Sequence, residues 1–248
     1  MANTRPFLGI IAALPAEARA AGVRHAPAGE VVRIADDVLL IRCGIGRTRA
    51  TRAAESLMDA GAGALLSWGT AAALDRQLGL GDLVLPREVL SREGHRFSTD
   101  SRWRDRLCGI LENGSGCHAG TVAEADSVLE SADDKLLLHT LSGALIADME
   151  SAAIAEVCQG TGCSLLVVRA VSDRVATRIP DCALAAVDAN GDVKLARCLG
   201  SLLLAPGDLP ALLRLARGFR AACAALSRLA QRAGPAFLLS APERGADS

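Results

Sequence analysis

Apolar residues along this chain come in short continuous runs, punctuated by glycine, proline and charged residues. Residues 7–14 are apolar throughout and stop at Pro15, the pattern of a buried strand. Pro15 suits the first turn of a helix reaching about residue 21, closed by Gly22. Runs at 31–34 and 38–43 flank Asp36-Asp37, a hairpin turn. A Gly44-Ile45-Gly46 turn leads into a helix over 48–60 with Gly61 as its C-cap. Residues 64–68 read as a second buried strand, followed by a small-residue loop at 69–73. Further on, the pattern predicts a strand at 82–85 and a helix at 101–111 with Ser101 as N-cap. It also predicts a strand end at 121–122, a helix at 132–141, a short strand at 145–147 and a helix at 150–159. Residues 164–171 form a strongly apolar strand, and helices are expected at 196–204 and 208–232. In the last of these Asp208 can cap and Pro210 sits in the first turn.

Strands alternating with helices predict an α/β fold with a mostly parallel sheet covered on both faces. No internal repeat or low-complexity linker divides the chain. Residues 1–248 therefore read as one domain, with 194–235 as a helical C-terminal extension. In that extension Leu212, Leu215, Phe219, Ala222, Leu226 and Leu229 recur on one helix face, and Arg214, Arg217, Arg220, Arg228 and Arg232 lie largely off it. Such a helix either packs on the domain or offers a basic amphipathic surface to anionic lipid.

Composition narrows the classes. The chain is 50% hydrophobic and 22% charged, a globular balance, and its net charge of −1 argues against a nucleic-acid partner. Only Lys135 and Lys194 among 27 basic residues are lysine, which reads as codon bias. The eight cysteines form no CxxC pair and read as small buried hydrophobes in a reducing cytosol, with neither metal nor cofactor implied. No signal-peptide layout opens the chain and no apolar run reaches the roughly 18 residues of a membrane span, so a cytoplasmic protein is expected.

Three segments set acidic or small residues just after a buried strand, where open α/β sheets hold ligands. In the first, Glu17 falls in the first turn after strand 7–14. It is either a functional acid or one favoured by the helix dipole. In the second, Asp148 and Glu150 flank Met149 at a strand-to-helix junction, where they either cap the helix or face a ligand. In the third, strand 164–171 ends in Ser172-Asp173, where a partly desolvated carboxyl suits a general acid.

Taken together, GIIAALPAEA, CGIGRTRA, WGTAAAL, ADMESAAIAEVC and VVRAVSD run in order from residue 9 to residue 173. They resemble the nucleoside phosphorylase and nucleosidase superfamily, and the opening resembles methylthioadenosine/S-adenosylhomocysteine nucleosidases. The segments GHRFSTDSRWR, ALIADMESAA, IPDCALAAVDANGDVKLARCLGSLL and PGDLPALLRLARGFRAACAALSRLA look like its hopanoid-associated branch. The C-terminal helical region, taken as absent from the short nucleosidases, points the same way.

The resemblance implies a three-layer sandwich around a mixed, mostly parallel sheet, and cleavage of the N-glycosidic bond of an adenine nucleoside. Adenosylhopane is the substrate it implies, with hopanoid biosynthesis as the setting. Asp173, oriented by Ser172, would deliver a proton to the base. Glu150 would grip the ribose hydroxyls and stabilise the cationic sugar, with Met149 packed against it. Asp148 would support the site or recognise the base. Glu17 would activate water. Gly69, Thr70 and Ala71 would cradle ribose or phosphate, Ile45 would touch substrate, and Val128 would stand where the short nucleosidases stack a phenylalanine. Ser67 occupies the place of a phosphorylase arginine, with Arg47 as a candidate substitute for phosphate, so Glu17 favours water over phosphate as nucleophile. The superfamily also implies a homo-oligomer, and a hopane tail implies contact of the C-terminal helix with the inner membrane face. A methylthioadenosine/S-adenosylhomocysteine nucleosidase and a non-catalytic nucleoside-binding protein are the alternatives.

Overall fold

The computed structural model describes residues 7–111, 117–188, 190–192 and 206–239. Among these, eleven strands form one sheet with helices on both faces. Its centre is β1 (Phe7–Ala12), β3 (Val38–Arg42), β4 (Ala62–Ala73) and β11 (Ser164–Asp173). β1 lies between β3 and β4, β11 flanks β4 on its other side, and all four run parallel. Their runs are apolar on both faces because both faces are covered.

One face carries α2 (Arg47–Asp59) and α5 (Ser151–Thr161), which bury Ala53, Leu57, Ile154 and Cys158 against Ile11, Leu65 and Val167. The other carries α1 (Pro15–Ala20), α3 (Ser101–Gly109) and α7 (Leu209–Ala233), around Leu8, Ile10, Leu66, Trp68 and Val168. The period of two in each strand sends alternate residues to the two cores. In α7 the buried face is Gly218, Ala222, Ala225, Leu226, Leu229 and Ala233, with the five arginines exposed. A Cβ added at Gly218 would lie 2.1 Å from the carbonyl oxygen of Ser172, so only glycine lets α7 approach β11 this closely. α7 is thus a member of the layer rather than an appendage.

The outer part of the sheet holds β2 (Val31–Ala35), β5 (Leu83–Val84), β6 (Glu88–Leu90), β7 (Arg96–Ser98), β8 (Cys117–His118), β9 (Thr121–Glu124) and β10 (Ile146–Asp148). α4 (Ala132–Ser142) and α6 (Asp181–Ala186) complete the described helices of at least six residues. β4 continues past the end of β1, and β10, running the other way, takes the place of β1 beside Ala72 and Ala73. That switch point leaves a crevice at the ends of β1, β10 and β11.

Several expectations change. Residues 69–73 are strand, not loop, because β11 and β10 pair with them. The N-cap of α3 is Asp100, whose carboxylate accepts from the Trp103 amide, not Ser101. Asp208 precedes α7 but makes no side-chain cap. The hairpin of β6 and β7 was not predicted, since three-residue strands carry too little period to read. Cys108 and Cys117 are joined by a disulfide, so not every cysteine is a free buried hydrophobe. The helix expected at 196–204 falls outside the described residues.

Candidate active site

A cavity of about 210 Å³ opens at the switch point. Glu17, Asp148, Glu150 and Asp173 line it with Ile45, Thr70, Ala71, Val128, Met149 and Ser172, together with Leu14, Leu129 and Ile179. Of the candidates from the sequence, Gly69 and Arg47 are the two that do not line it.

Glu17 is buried although it stands in the first turn of α1. Its Oε2 accepts from the amides of Ala13 and Leu14 (3.1 and 2.9 Å), closing the N-terminus of α1. Its Oε1 accepts from the Thr70 amide and hydroxyl (2.8 and 2.9 Å), tying α1 to β4. Gly69 leaves the room: a Cβ there would lie 2.8 Å from Glu17 Oε1. Burial pushes the Glu17 carboxyl above its ordinary range, and the charge of Arg169 and the hydrogen bonds from Thr70 and Leu14 partly offset this. The Trp68 indole donates to the Glu17 carbonyl at 3.1 Å and fixes the turn from behind.

Glu150 Oε1 accepts from the Gly46 amide at 2.8 Å, joining the Gly44-Ile45-Gly46 turn to the start of α5. Burial and the adjacent charge of Asp148 raise its carboxyl to about 7, against the pull of Arg169 and the Gly46 amide. Asp148 accepts from the amides of Glu150 and Ser151, from Ser151 Oγ at 2.5 Å and from Arg169 Nε at 2.6 Å. It therefore anchors α5 and pairs with Arg169, and it also lines the cavity.

Asp173 ends β11 past a register shift between Val171 and Asp173, an irregularity of the kind that re-aims side chains. Its Oδ1 lies 2.8 Å from Ser172 Oγ, whose single hydrogen is shared with Ala71 O at 3.2 Å.

Two buried cations that bond to the cavity's carboxylates, Arg169 and Lys135, were not singled out from the sequence. Arg169, in the apolar run of β11, donates from Nη2 to Ser67 Oγ (2.7 Å) and Ser151 Oγ (3.0 Å), beside its bond to Asp148. Burial alone would lower its guanidinium, but Asp148, Glu150 and Glu17 together hold it above the ordinary range. A charged residue inside a buried strand was the available signal. Lys135 on α4 is fully buried and bonds to Asp173 Oδ2 at 2.5 Å. Its neighbours on α4, Asp133, Asp134 and Leu137, are exposed, so the sequence around it reads as a solvated face.

Arg47 is held by carboxylates away from the cavity: Nη1 donates to Glu124 at 2.7 Å and Nη2 to Glu156 at 2.6 Å. Among the described residues no lysine or arginine lines the cavity.

The profile of the Phosphorylase superfamily matches residues 8–203. A 5'-methylthioadenosine/S-adenosylhomocysteine nucleosidase of Tolumonas auensis is 27% identical over 164 residues, covering 58% of this chain and 71% of that protein. The enzyme of the same name from Buchnera aphidicola is 25% identical over 156 residues, covering 55% and 67%. In structure, the S-adenosylhomocysteine nucleosidase of Streptococcus pyogenes in complex with 5-methylthiotubericidin superposes with a TM-score of 0.69 at 19% identity, covering 96% of this chain and 98% of its own. The futalosine hydrolase of Helicobacter pylori superposes with a TM-score of 0.68 at 15% identity, covering 93% and 98%. Coverage of 96% leaves too little of this chain unmatched to omit the 25 residues of α7. A C-terminal helix in this layer is therefore shared with that nucleosidase and does not mark a separate branch.

Proposed function

The chain belongs to the phosphorylase superfamily, and from that premise we propose that it is a purine nucleosidase, hydrolysing the N-glycosidic bond of an adenine nucleoside. One observation carries the reading. Three carboxylates, Glu17, Glu150 and Asp173, converge on one cavity that no described cation lines. Breaking the bond leaves positive charge on the ribose and negative charge on the base. Glu150 faces the sugar and stabilises the cation, while Met149 packs on it. Asp173, oriented by Ser172, protonates N7 of the leaving purine. Val128 and Leu129 cover the base with aliphatic rather than aromatic surface. Asp148 and Arg169 hold α5 and the carboxylates in place.

Water is the nucleophile in this reading. Phosphate is a dianion, and a cavity lined by acids repels it unless cations answer. Arg47 is committed to Glu124 and Glu156, and Arg169 to Asp148. Glu17 can take a proton from water once the Thr70 hydroxyl turns away from Oε1, which frees one acceptor site.

For the 5' substituent, Leu14, Ile45 and Met149 offer apolar surface. That supports adenosylhopane, as do the segments that resemble the hopanoid-associated branch. The names of the relatives support a second reading, a methylthioadenosine/S-adenosylhomocysteine nucleosidase. Exposed Leu209 and Leu213 beside the arginines of α7 support contact with a membrane surface. No helix among the described residues is long and apolar enough to cross a membrane.

Adenine release from adenosylhopane, methylthioadenosine and S-adenosylhomocysteine, each with and without phosphate, tests the reading. Release without phosphate and highest kcat/KM for adenosylhopane are expected. A phosphate requirement would overturn hydrolysis. Preference for a thio-nucleoside would select the second reading, and ligand binding without turnover a non-catalytic role. Co-sedimentation with anionic vesicles, lost on Leu213→Glu, is the expected mark of membrane contact; no co-sedimentation would exclude it.

A further inference from the structure

Lys135 is one of only two lysines among the 27 basic residues of the chain, the rest being arginine. It is fully buried, and its Nζ meets three acceptors: Asp173 Oδ2 at 2.5 Å and the carbonyls of Arg174 and Thr177 at 3.0 Å each. Those three acceptors satisfy the ammonium completely. They also satisfy the neutral amine, which donates two hydrogens to the carbonyls and accepts the third from a protonated Asp173 through its lone pair. Arginine stays charged in proteins and has no such second state.

We propose that Lys135 is a positioning residue that pins Asp173 and loads it with the proton the leaving purine takes; this deepens the nucleosidase reading and rests on it. In the open site the pair is ammonium and carboxylate. When a purine fills the cavity and displaces water, the neutral pair gains over the ion pair, and the proton crosses from Nζ to Oδ2. As the C1'–N9 bond breaks, its electron pair passes into the purine ring and N7 takes the proton from Asp173. Water attacks C1' and yields its own proton to Glu17. Solvent then removes the proton from Glu17 and returns one to Lys135, so each turnover places one hydrogen on the base and one hydroxyl on the ribose.

Asp173 is the charged side chain in contact with Nζ. On the elements around it Glu130, Asp133, Asp134, Arg174 and Arg178 are exposed, with Asp134 held by Ser131. His139, one turn along α4, has Nδ1 2.8 Å from the Ala144 carbonyl. Across the cavity Glu17 is held by amides of Ala13, Leu14 and Thr70, Glu150 by the Gly46 amide, and Asp148 by Arg169.

With two lysines, the chain labelled with nitrogen-15 lysine gives two Nζ signals, and Lys135→Arg assigns one. At fixed pH near neutrality, adenine is expected to convert the Lys135 signal from ammonium to predominantly amine while Lys194 stays unchanged. A Lys135 signal that remains ammonium with adenine bound overturns the proposal, whether or not the protein turns substrate over. In adenine release from methylthioadenosine, Lys135→Arg is expected to lower kcat about 100-fold or more with KM nearly unchanged. Wild-type kcat in that variant overturns the loading role, because pinning by charge would then suffice. Failure of the wild type to release adenine from any of the three nucleosides above would instead count against the nucleosidase reading, and the NMR arm separates the two.

Discussion

Glu150 shows how a single side chain carries both folding and chemistry. Burial and the charge of Asp148 raise its carboxyl to about 7 from an ordinary value of 4.5. In the proposed reaction it must be ionised to stabilise the ribose cation, so kcat/KM is expected to rise as pH increases through about 7. Stability runs the other way. A carboxyl raised in the folded state stabilises most below its unfolded pKa, and that contribution is lost as pH rises through about 7. Glu150→Gln should therefore be more stable than wild type above about pH 8, by up to about 3 kcal/mol, with the gain gone near pH 4. Thermal denaturation at the two pH values measures it, and an equal difference at both would refute the assignment. Glu17 and Asp148 were legible in the sequence as acids at strand-to-helix junctions. Arg169 and Lys135 were not assigned, because each is defined by partners far along the chain: Ser67 and Asp148 for Arg169, Asp173 for Lys135.

The elements hold these side chains by close packing. β4 carries the most: it pairs with β1, then β10, along one edge and with β11 along the other. The segment 69–73 read as a loop because small residues lack strand propensity, yet β11 pairs with Gly69 to Ala72 and β10 with Ala72 and Ala73, which keeps it extended. α7 presses on the end of β11 where Ser172 and Asp173 lie, at a contact only Gly218 permits. Gly218→Ala is expected to cost about 3 kcal/mol or more in urea denaturation, since the added methyl meets backbone that cannot yield cheaply. It should also lower kcat, because Ser172 orients Asp173. Unchanged stability would mean that α7 stands further from β11.

For the molecule as a whole, exposed Val128, Leu137 and Leu141 gather along one groove that joins the candidate site at Ala125 and Leu129. A second copy of this chain covering that groove fits the expected homo-oligomer, and exposed leucines on one face are costly to leave in water. Sedimentation velocity should find an oligomer, and Leu137→Ser with Leu141→Ser should shift it toward monomer. A wild-type monomer across the concentration range would end that expectation.

The central strands, the longer helices that cover them, their apolar runs and the three acidic junctions could be read from the chain, because each depends on neighbours a few residues apart; the short strands β6 and β7 could not. Period and capping are local properties, and they survive in sequence. What had to wait for the fold was which junctions face one another, that Arg47 turns to Glu124 and Glu156, and that a lysine on an outwardly polar helix bonds to Asp173. Those facts belong to pairs 38 to 109 residues apart, joined only when β4 brings β1, β10 and β11 together. Charge and desolvation act through space, so the chemistry of the site was settled by packing rather than by spacing along the chain.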